Sequence, residues 1–163
     1  MINFRETDPE FSERFEHFIY DTVPNEPGQQ LDPVTRHMVI LAALLGCQGT
    51  DMFWEVIPDA IRAGVTPVMI KEIVYQAVDY LGIGRVLPFL DITTEAFEQM
   101  NIKHPLPGQA TTTMEDRLEK GIKVQAEIFG DRMLEAWKTG HINRWLAENC
   151  FGDYYTRRGL DLK

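Results

Sequence analysis

The most constraining feature of this sequence is an apolar stripe with helical spacing that follows residue 66. The residues of this stripe recur every three or four positions: Ile70, Ile73, Val74, Ala77, Val78 and Leu81. Because an α-helix turns once every 3.6 residues, this spacing places them on one face, which must be buried against another element. Thr66 and Pro67 form a helix start, in which a hydroxyl cap precedes a proline at the first helical position. The segment predicts an amphipathic helix within a helical core.

Two further helix starts of the same kind lie nearer the N-terminus, at Asp8-Pro9 and at Asp32-Pro33. Proline fits the first helical position because its missing N–H group would have no partner there. The second start precedes an uninterrupted apolar run over residues 38–46. This run is less than half of the roughly 20 residues that a helix needs to cross a bilayer. It therefore predicts a buried helix and no membrane anchor.

The middle of the chain predicts two more helices. Residues 51–63 carry an apolar face and stop at Gly64, which suits the left-handed conformation at a helix end. Pro58 is expected to kink or split this helix. Another helix is expected over residues 84–100, where Pro88 is tolerable only in the first turn.

The remainder of the chain begins with an extended linker that is rich in proline, glycine and threonine. After it, Thr113 is expected to cap a helix that ends at Gly130, and shorter helices are expected over residues 133–138 and 142–149. No segment shows the alternation of a β-strand. The sequence thus predicts an all-α protein in three parts: a helical unit over 1–100, a linker over 101–113 and a helical extension over 114–163.

Charge and cysteine content limit the partners. The 163 residues include 25 acidic against 16 basic side chains, for a formal net charge of −9. Such a chain repels nucleic-acid phosphates and anionic lipid, so we expect no nucleic-acid or membrane partner. The N-terminus lacks the features of a secretory signal, which predicts a cytoplasmic location. Cys47 and Cys150 form no Cys-x-x-Cys pair, so we expect two buried thiols, no metal and no other cofactor.

A short sequence pattern is repeated near the two ends of the chain. Residues 18–21 (Phe-Ile-Tyr-Asp), followed by residues 31–34 (Leu-Asp-Pro-Val), introduce the first buried helix. Residues 151–154 (Phe-Gly-Asp-Tyr), followed by residues 160–163 (Leu-Asp-Leu-Lys), close the chain. The second copy stops where its own buried helix is expected to begin. The pattern suggests a design of two units from which the second is missing.

The order of short motifs resembles the carboxymuconolactone decarboxylase family, which also includes alkylhydroperoxidases. The motifs of the first unit are residues 31–36 (Leu-Asp-Pro-Val-Thr-Arg), 63–67 (Ala-Gly-Val-Thr-Pro), 70–73 (Ile-Lys-Glu-Ile) and 76–82 (Gln-Ala-Val-Asp-Tyr-Leu-Gly). Residues 117–121, 128–130 and 151–161 look like the lead-in to such a domain in the decarboxylase branch. The resemblance implies an all-α fold built on an antiparallel helical hairpin. It also implies a homo-oligomer, which we expect to be a dimer, trimer or hexamer.

The resemblance also indicates where the family's reactive side chains would lie. In the peroxidase branch a glutamate works with a Cys-x-x-Cys-x-x-x-His motif: one thiolate attacks peroxide, the second cysteine resolves it, and the other two groups relay protons. The corresponding positions in this sequence are His37, Gly49, Met52 and Val56. The decarboxylase branch usually keeps the histidine, so the motif of neither branch is complete.

Two residues are candidates for catalysis at this degenerate site. His37 occupies the acidic relay position and can act as an acid or base near neutral pH, or it is simply a hydrogen-bonded residue at a helix start. Cys47 begins Cys-Gln-Gly-Thr, which looks like a Cys-x-x-Cys motif with the second sulfur replaced by a hydroxyl. It lies two residues early, about 200° around a helix, so the alternative is a buried thiol.

Other polar residues are weaker candidates. Asp51 and Glu55 lie one turn apart and are expected to form a solvated face rather than a carboxylate pair. Arg157 and Arg158 either help to bind an acidic ligand or flank a turn. The remaining histidines lie on dissimilar elements without metal-ligand spacing: His17, His104 and His141.

These observations support three functional hypotheses. The first is an enzyme of the carboxymuconolactone decarboxylase or alkylhydroperoxidase type that acts on a small lactone, organic acid or peroxide. The alternative is a non-catalytic subunit or half-protein whose catalytic repeat is missing or lies on another chain. A third is a scaffold for a small apolar ligand between subunits, unless the residues proposed as its walls are simply core and interface: Met52, Phe53, Trp54 and Tyr80.

Overall fold

The computed structural model describes residues 4–28 and 30–160, and every regular element within them is helical. The α-helices of these residues are α1 (Phe4–Thr7), α2 (Pro9–Glu16), α3 (Val23–Asn25), α4 (Pro33–Gly46), α5 (Thr50–Arg62), α6 (Pro67–Gln76), α7 (Val78–Leu81), α8 (Ile83–Gln99), α9 (Arg117–Phe129), α10 (Met133–Ala136) and α11 (His141–Trp145). Two π-helical turns, His17–Thr22 and Leu146–Phe151, and two 3₁₀ turns, Trp137–Thr139 and Tyr154–Thr156, complete the set. The all-α prediction is confirmed.

The three proline-marked helix starts are observed where the sequence predicts them. The Asp32 carboxylate accepts hydrogen bonds from the N–H groups of Val34 and Thr35, at 3.1 and 3.0 Å. The Thr66 hydroxyl accepts one from the N–H of Met69 at 3.2 Å. Each bond satisfies an N–H group that the first helical turn leaves without a partner. Asp8 precedes α2 without a side-chain cap bond.

The hydrophobic core lies between α4, α5, α6 and α8, which pack against one another. Its largest fully buried side chains include Leu41, Phe53, Ile57, Phe89 and Phe97. The Phe53 and Phe89 rings meet edge to face with their centroids 5.0 Å apart. Full burial of each such side chain stabilises the fold by about 1.5–3 kcal/mol. This core holds α6, and with it the residues described below, in a fixed position.

Three details of these helices differ from the prediction. The predicted apolar helix after Thr66 is divided at Ala77 into α6 and α7. The helix α5 is not split by Pro58. Pro88 is the sixth residue of α8 and so lies beyond its first turn. The N–H that Pro88 lacks would have bonded the carbonyl of Gly84, an exposed residue whose carbonyl is near enough to the helix end to bond water instead.

The helix α9 begins three residues later than the cap expected at Thr113. Asp116 is the N-cap residue, and its carboxylate accepts the N–H of Thr113 at 2.7 Å and pairs with Lys120 Nζ at 2.6 Å. Because the carboxylate captures the Thr113 N–H, it closes a turn before the helix instead of letting the helix start at residue 113.

The linker residues 101–113 contain no helix and are hydrogen-bonded to residues 152–158. The Thr111 hydroxyl donates to the carbonyl of Thr156 at 2.6 Å, and the Thr112 hydroxyl donates to that of Gly152 at 2.7 Å. The N–H of Arg158 donates to the Gln109 carbonyl at 2.9 Å. The linker therefore holds residues 152–158 beside the helical unit.

The helix α9 and the π-helical turn Leu146–Phe151 touch at two glycines. A Cβ atom on Gly121 would lie 1.7 Å from the carbonyl oxygen of Ala147. A Cβ atom on Gly152 would lie 2.2 Å from that of Arg117. Only glycine permits backbones to approach this closely.

Candidate functional site

His37 lies in the second turn of α4, partly buried. Its Nδ1 is 2.7 Å from the carbonyl oxygen of Pro33, one turn earlier in the same helix. Since a carbonyl can only accept, Nδ1–H is the donor, and in the neutral ring Nε2 is left as an acceptor. The imidazole is therefore hydrogen-bonded to its own helix start.

Cys47 is the C-cap residue of α4 and is exposed, with its Sγ 3.5 Å from the Leu44 carbonyl. The expectation of a buried thiol is wrong here, because the chain leaves the helix at this residue and the side chain turns outward. Ten residues of helix separate Cys47 from His37, a rise of about 15 Å. The two sequence candidates are thus far apart.

The other positions of the family motif carry no reactive group. Gly49 is the N-cap of α5, Met52 is exposed on its first turn, and Val56 packs against the core. Asp51 and Glu55 are both exposed, as predicted for a solvated face.

Within a single chain the residues proposed as walls of an apolar ligand site do not come together, and the proposed site between subunits stays a prediction. Phe53 is fully buried in the core, whereas Met52 is exposed. Trp54 lines a small surface cavity of about 210 Å³, and Tyr80 lines a different one. The Tyr80 hydroxyl lies 2.6 Å from that of Tyr155, and this hydrogen bond raises the pKa of Tyr80 to about 12.

The remaining histidines are also dispersed, and Cys150, predicted to be a buried thiol, is partly exposed. His17 faces Asp21 at 3.2 Å on the surface, and His141 is exposed at the start of α11. His104 stacks on Phe97 with ring centroids 5.9 Å apart. Within residues 4–28 and 30–160, no group of three or more metal-ligating side chains comes together.

A polar cavity of about 420 Å³ lies between α6, α8, the linker and the C-terminal segment. Its ionisable lining residues are Lys71, Glu72, Tyr75, His104 and Arg157. In the sequence Arg157 and His104 are only weak candidates, and Lys71 and Glu72 belong to a family motif without standing out as site residues. We define these residues and the space between them as the α6 cavity.

An ion pair in the wall of the α6 cavity joins α6 to the C-terminal segment. Arg157 donates from Nε and from Nη2 to the two carboxylate oxygens of Glu72, each at 2.8 Å. Glu72 is almost completely buried, and the guanidinium lies 5.6 Å from the centroid of the Tyr75 ring. The side-chain hydrogen bonds to Glu72 raise the pKa of Arg157, so the guanidinium is always charged.

Asp153 forms further ion pairs next to this one. One of its oxygens lies 3.5 Å from Arg157 Nη1, and the other lies 3.0 Å from Arg117 Nη2. The Gln76 amide N–H donates to Glu72 Oε2 at 3.3 Å. The charged groups therefore form one network that fixes Arg157 in the cavity wall.

Lys71 is the second cation of the α6 cavity. Only 7% of the residue is exposed, and its Nζ donates to the Thr94 hydroxyl at 2.7 Å. Burial lowers the pKa of Lys71, and the charge of Asp91 opposes that effect only in part. A lysine with a lowered pKa releases and accepts protons more readily than an exposed one. The cavity thus combines a fixed guanidinium with an amine that can exchange a proton.

The model of the carboxymuconolactone decarboxylase family matches residues 9–95, just over half of the chain. The chain belongs to the carboxymuconolactone decarboxylase family. This result confirms the family that the sequence motifs indicated. No match was found among curated proteins.

The family match places the α6 cavity partly inside and partly outside the family domain. Lys71, Glu72 and Thr94 lie within the matched residues, whereas His104 and Arg157 lie beyond them. A carboxymuconolactone decarboxylase domain here shares a cavity with the segment that follows it. No helix in the described residues is both long and apolar enough to cross a membrane.

Proposed function

We propose that this member of the carboxymuconolactone decarboxylase family acts on a small organic acid or carboxylated lactone bound in the α6 cavity. The observation that carries the proposal is the buried amine of Lys71 in a cavity that also presents the Arg157 guanidinium. Glu72 and Asp153 already offset the charge of Arg157, so the charge that the cavity offers to a ligand is that of Lys71, whose Nζ donates to the neutral Thr94 hydroxyl. This buried positive charge favours an anionic ligand in a chain whose net charge is −9.

The proposed roles follow from the requirements of decarboxylation. The bond to the carboxylate carbon breaks, carbon dioxide leaves, and the electron pair stays on the substrate until a proton replaces it. Lys71 is the proposed proton donor, because its lowered pKa makes the ammonium a better acid than an ordinary lysine. Arg157 is the proposed second contact to the substrate carboxylate, through N–H groups of Nη1 and Nη2 that Glu72 does not bind, because its Nε–Nη2 edge is already paired with Glu72.

A peroxidase function has less support from the thiols. Cys47 is exposed at a helix end, and burial together with a hydrogen bond to Asp79 raises the pKa of Cys150 to about 12. A thiol with such a pKa is protonated and a poor nucleophile at neutral pH. Gly49 and Met52 occupy the positions of the family's reactive pair.

The test is to measure binding and turnover of carboxymuconolactone with the wild type and with Lys71→Met. We expect turnover in the wild type and a loss of at least about 10²-fold in the variant, the usual contribution of a general acid. Lys123→Met is the matched control, because this lysine is exposed on α9. His37→Ala and Cys47→Ser are expected to keep wild-type rates.

Two results would reject the proposal. One is equal turnover by the wild type and Lys71→Met when circular dichroism shows both to be folded. The other is loss of turnover in His37→Ala or Cys47→Ser alone, which would return the chemistry to the positions that the family motif indicates. Reduction of hydrogen peroxide by a thiol donor, if lost in Cys47→Ser, would establish the peroxidase alternative.

A non-catalytic subunit is the second candidate function. It is favoured by the replacement of the family's reactive residues with Gly49, Met52 and Val56. Under this hypothesis the wild type would assemble normally and turn over neither the lactone nor peroxide.

We also propose that the core helices form an antiparallel hairpin and that the chain works in the cytoplasm as a homo-oligomer of two, three or six copies. The many exposed apolar side chains support an oligomer.

A further inference from the structure

The amine of Lys71 lies in the wall of the α6 cavity beside an apolar ring. Only 7% of the residue is exposed, and its Nζ is 5.8 Å from the centroid of the fully buried Phe97 ring. Within residues 4–28 and 30–160 no carboxylate lies at ion-pair distance from this nitrogen, which is bonded to the Thr94 hydroxyl. Because a buried ammonium without a counter-ion is poorly solvated, this position favours the neutral amine more than the protein surface does.

The Thr94 hydroxyl fixes the direction of the Lys71 amine. Its oxygen is 2.9 Å from the carbonyl oxygen of Leu90, which can only accept, so the hydroxyl proton points to Leu90. The same hydroxyl oxygen therefore accepts from Lys71 Nζ, 2.7 Å away. A neutral amine has two N–H groups and one lone pair. After donating to Thr94, the amine keeps the lone pair and one N–H group for a molecule in the cavity.

A desolvated lysine amine with a free lone pair attacks carbonyl carbons and forms Schiff bases. Burial lowers the pKa of Lys71, which increases the share of the neutral form. The α6 cavity, at about 420 Å³, falls within the range of roughly 300–1,000 Å³ that is usual for small-molecule sites. Lys123 lacks both features, because it is exposed and pairs with Glu119 at 2.5 Å.

The class of substrate follows from the second group that the cavity presents. The N–H groups of Arg157 that Glu72 does not bind are the proposed contact for a carboxylate. A substrate that meets both Lys71 and Arg157 therefore carries a ketone and a carboxylate. In a 3-oxo acid the carboxylate is on the carbon next to the ketone carbon, so an imine there accepts the electron pair that decarboxylation releases. In a 2-oxo acid the pair would remain on the imine carbon, which does not stabilise it.

We propose that Lys71 forms a Schiff base with a 3-oxo acid in the α6 cavity and that the acid loses carbon dioxide from this covalent intermediate. This inference rests on the proposed binding of small organic acids in the cavity and adds the substrate class and the covalent step.

The steps of this reaction balance with water and one proton from solution. The Lys71 nitrogen bonds to the ketone carbon, and the ketone oxygen leaves as water, which gives an iminium ion. The bond to the carboxylate carbon breaks, carbon dioxide leaves, and the electron pair moves toward the iminium nitrogen to form an enamine. A proton then adds to the carbon that carried the carboxylate. Hydrolysis of the new iminium ion by water releases the ketone and the free lysine.

The test is reductive trapping of the wild type with acetoacetate, a 3-oxo acid, and cyanoborohydride near neutral pH. The hydride converts the imine to a stable secondary amine, which peptide mass spectrometry locates. We expect at least about tenfold more adduct at Lys71 than at Lys123, including the lighter adduct that has lost carbon dioxide. Acetone has the ketone without the carboxylate, so the ratio of adduct at Lys71 to that at Lys123 should be lower with acetone.

Lys71→Arg keeps a cation in the cavity wall but forms no Schiff base. This variant should release carbon dioxide from acetoacetate no faster than a solution without protein, whereas Lys123→Arg should keep the wild-type rate. Circular dichroism should show both variants folded.

The inference is overturned if the wild type carries no more adduct at Lys71 than at Lys123, a result that does not depend on the folding of any variant. An equal ratio with acetone would overturn the assignment to an oxo acid. Turnover of carboxymuconolactone without an adduct at Lys71 would reject this inference and leave the proposed function standing. An adduct at Lys71 without turnover of the lactone would support this inference and reject the lactone as substrate.

Discussion

The Glu72–Arg157 ion pair provides the sharpest test of how burial governs the stability of this chain. Glu72→Gln keeps the size of the side chain and removes its charge. The Glu72 side chain is 2% exposed and that of Arg157 is 15%, so the variant leaves a poorly solvated guanidinium without its main counter-charge. Removing one partner of a buried pair costs about 3–5 kcal/mol.

Asp153 reduces that cost, because it remains 3.5 Å from Arg157 Nη1. We therefore expect a loss near the lower limit, about 3 kcal/mol in the free energy of unfolding. In a protein of this size such a loss lowers Tm by roughly 6–12 °C. Urea and thermal unfolding followed by circular dichroism would measure both quantities. Glu72→Leu combined with Arg157→Met removes both charges and should recover part of the loss.

The chain offers a control with nearly the same geometry and far less burial. Arg5 contacts Glu16 through two bonds of 2.7 and 2.9 Å, but these side chains are 74% and 38% exposed. Glu16→Gln should leave Tm almost unchanged, because solvent screens exposed pairs. If Glu72→Gln proved no more damaging than Glu16→Gln, the argument that burial gives the Glu72 pair its importance would fail.

Three further predictions concern backbone packing, thiol reactivity and pH. Gly121→Ala should destabilise the protein by at least about 2 kcal/mol, because a backbone carbonyl occupies the space of the new methyl group. Gly84→Ala should instead stabilise it by up to about 1 kcal/mol, because its methyl group meets open space. Equal denaturation midpoints for the two variants would contradict this. At about pH 8 an aromatic disulfide reagent should titrate Cys47 in the folded protein and Cys150 only after unfolding, because burial raises the pKa of Cys150 to about 12; two fast equivalents would refute this. Burial lowers the pKa of Lys71, so between that pKa and the usual 10.5 the unfolded chain binds more protons than the folded one. The free energy of unfolding of the wild type, relative to that of Lys71→Met, should therefore rise with pH through this window. A difference that does not depend on pH would be evidence against it.

Local signals in the sequence were sufficient for the three proline-marked helix starts and for the end of α5. The bonds that cap α4 and α6 join residues two or three positions apart, so Asp32 and Thr66 identify them directly. Gly64 ends α5 with a φ of +104°, as its position after an apolar stripe predicts. The cap of α9 was placed wrongly because Thr113 and Asp116 are both good capping residues, and sequence alone does not rank them.

The α6 cavity could not be predicted, because its contacts join distant parts of the chain. Lys71 and Thr94 are 23 residues apart, and Glu72 and Arg157 are 85 apart. Lys71 and Glu72 lie between two members of an apolar stripe, where charged residues are expected to reach solvent. Their burial depends on the linker and the C-terminal segment covering α6. The location of any chemistry at His37 or Cys47 stays a prediction.

The double role of Arg157 couples ligand binding in the α6 cavity to the attachment of residues 152–158. The same guanidinium that would bind an acidic ligand also holds residues 152–158 against α6 through Glu72. A ligand that draws Arg157 away from Glu72 weakens the attachment of this segment to α6. Conversely, a stronger attachment of the segment lowers the affinity of the cavity for the ligand. By thermodynamic linkage the two effects are equal in magnitude. Occupancy of the cavity would thus change how firmly Arg157, 85 residues from Glu72 in sequence, holds residues 152–158 against α6.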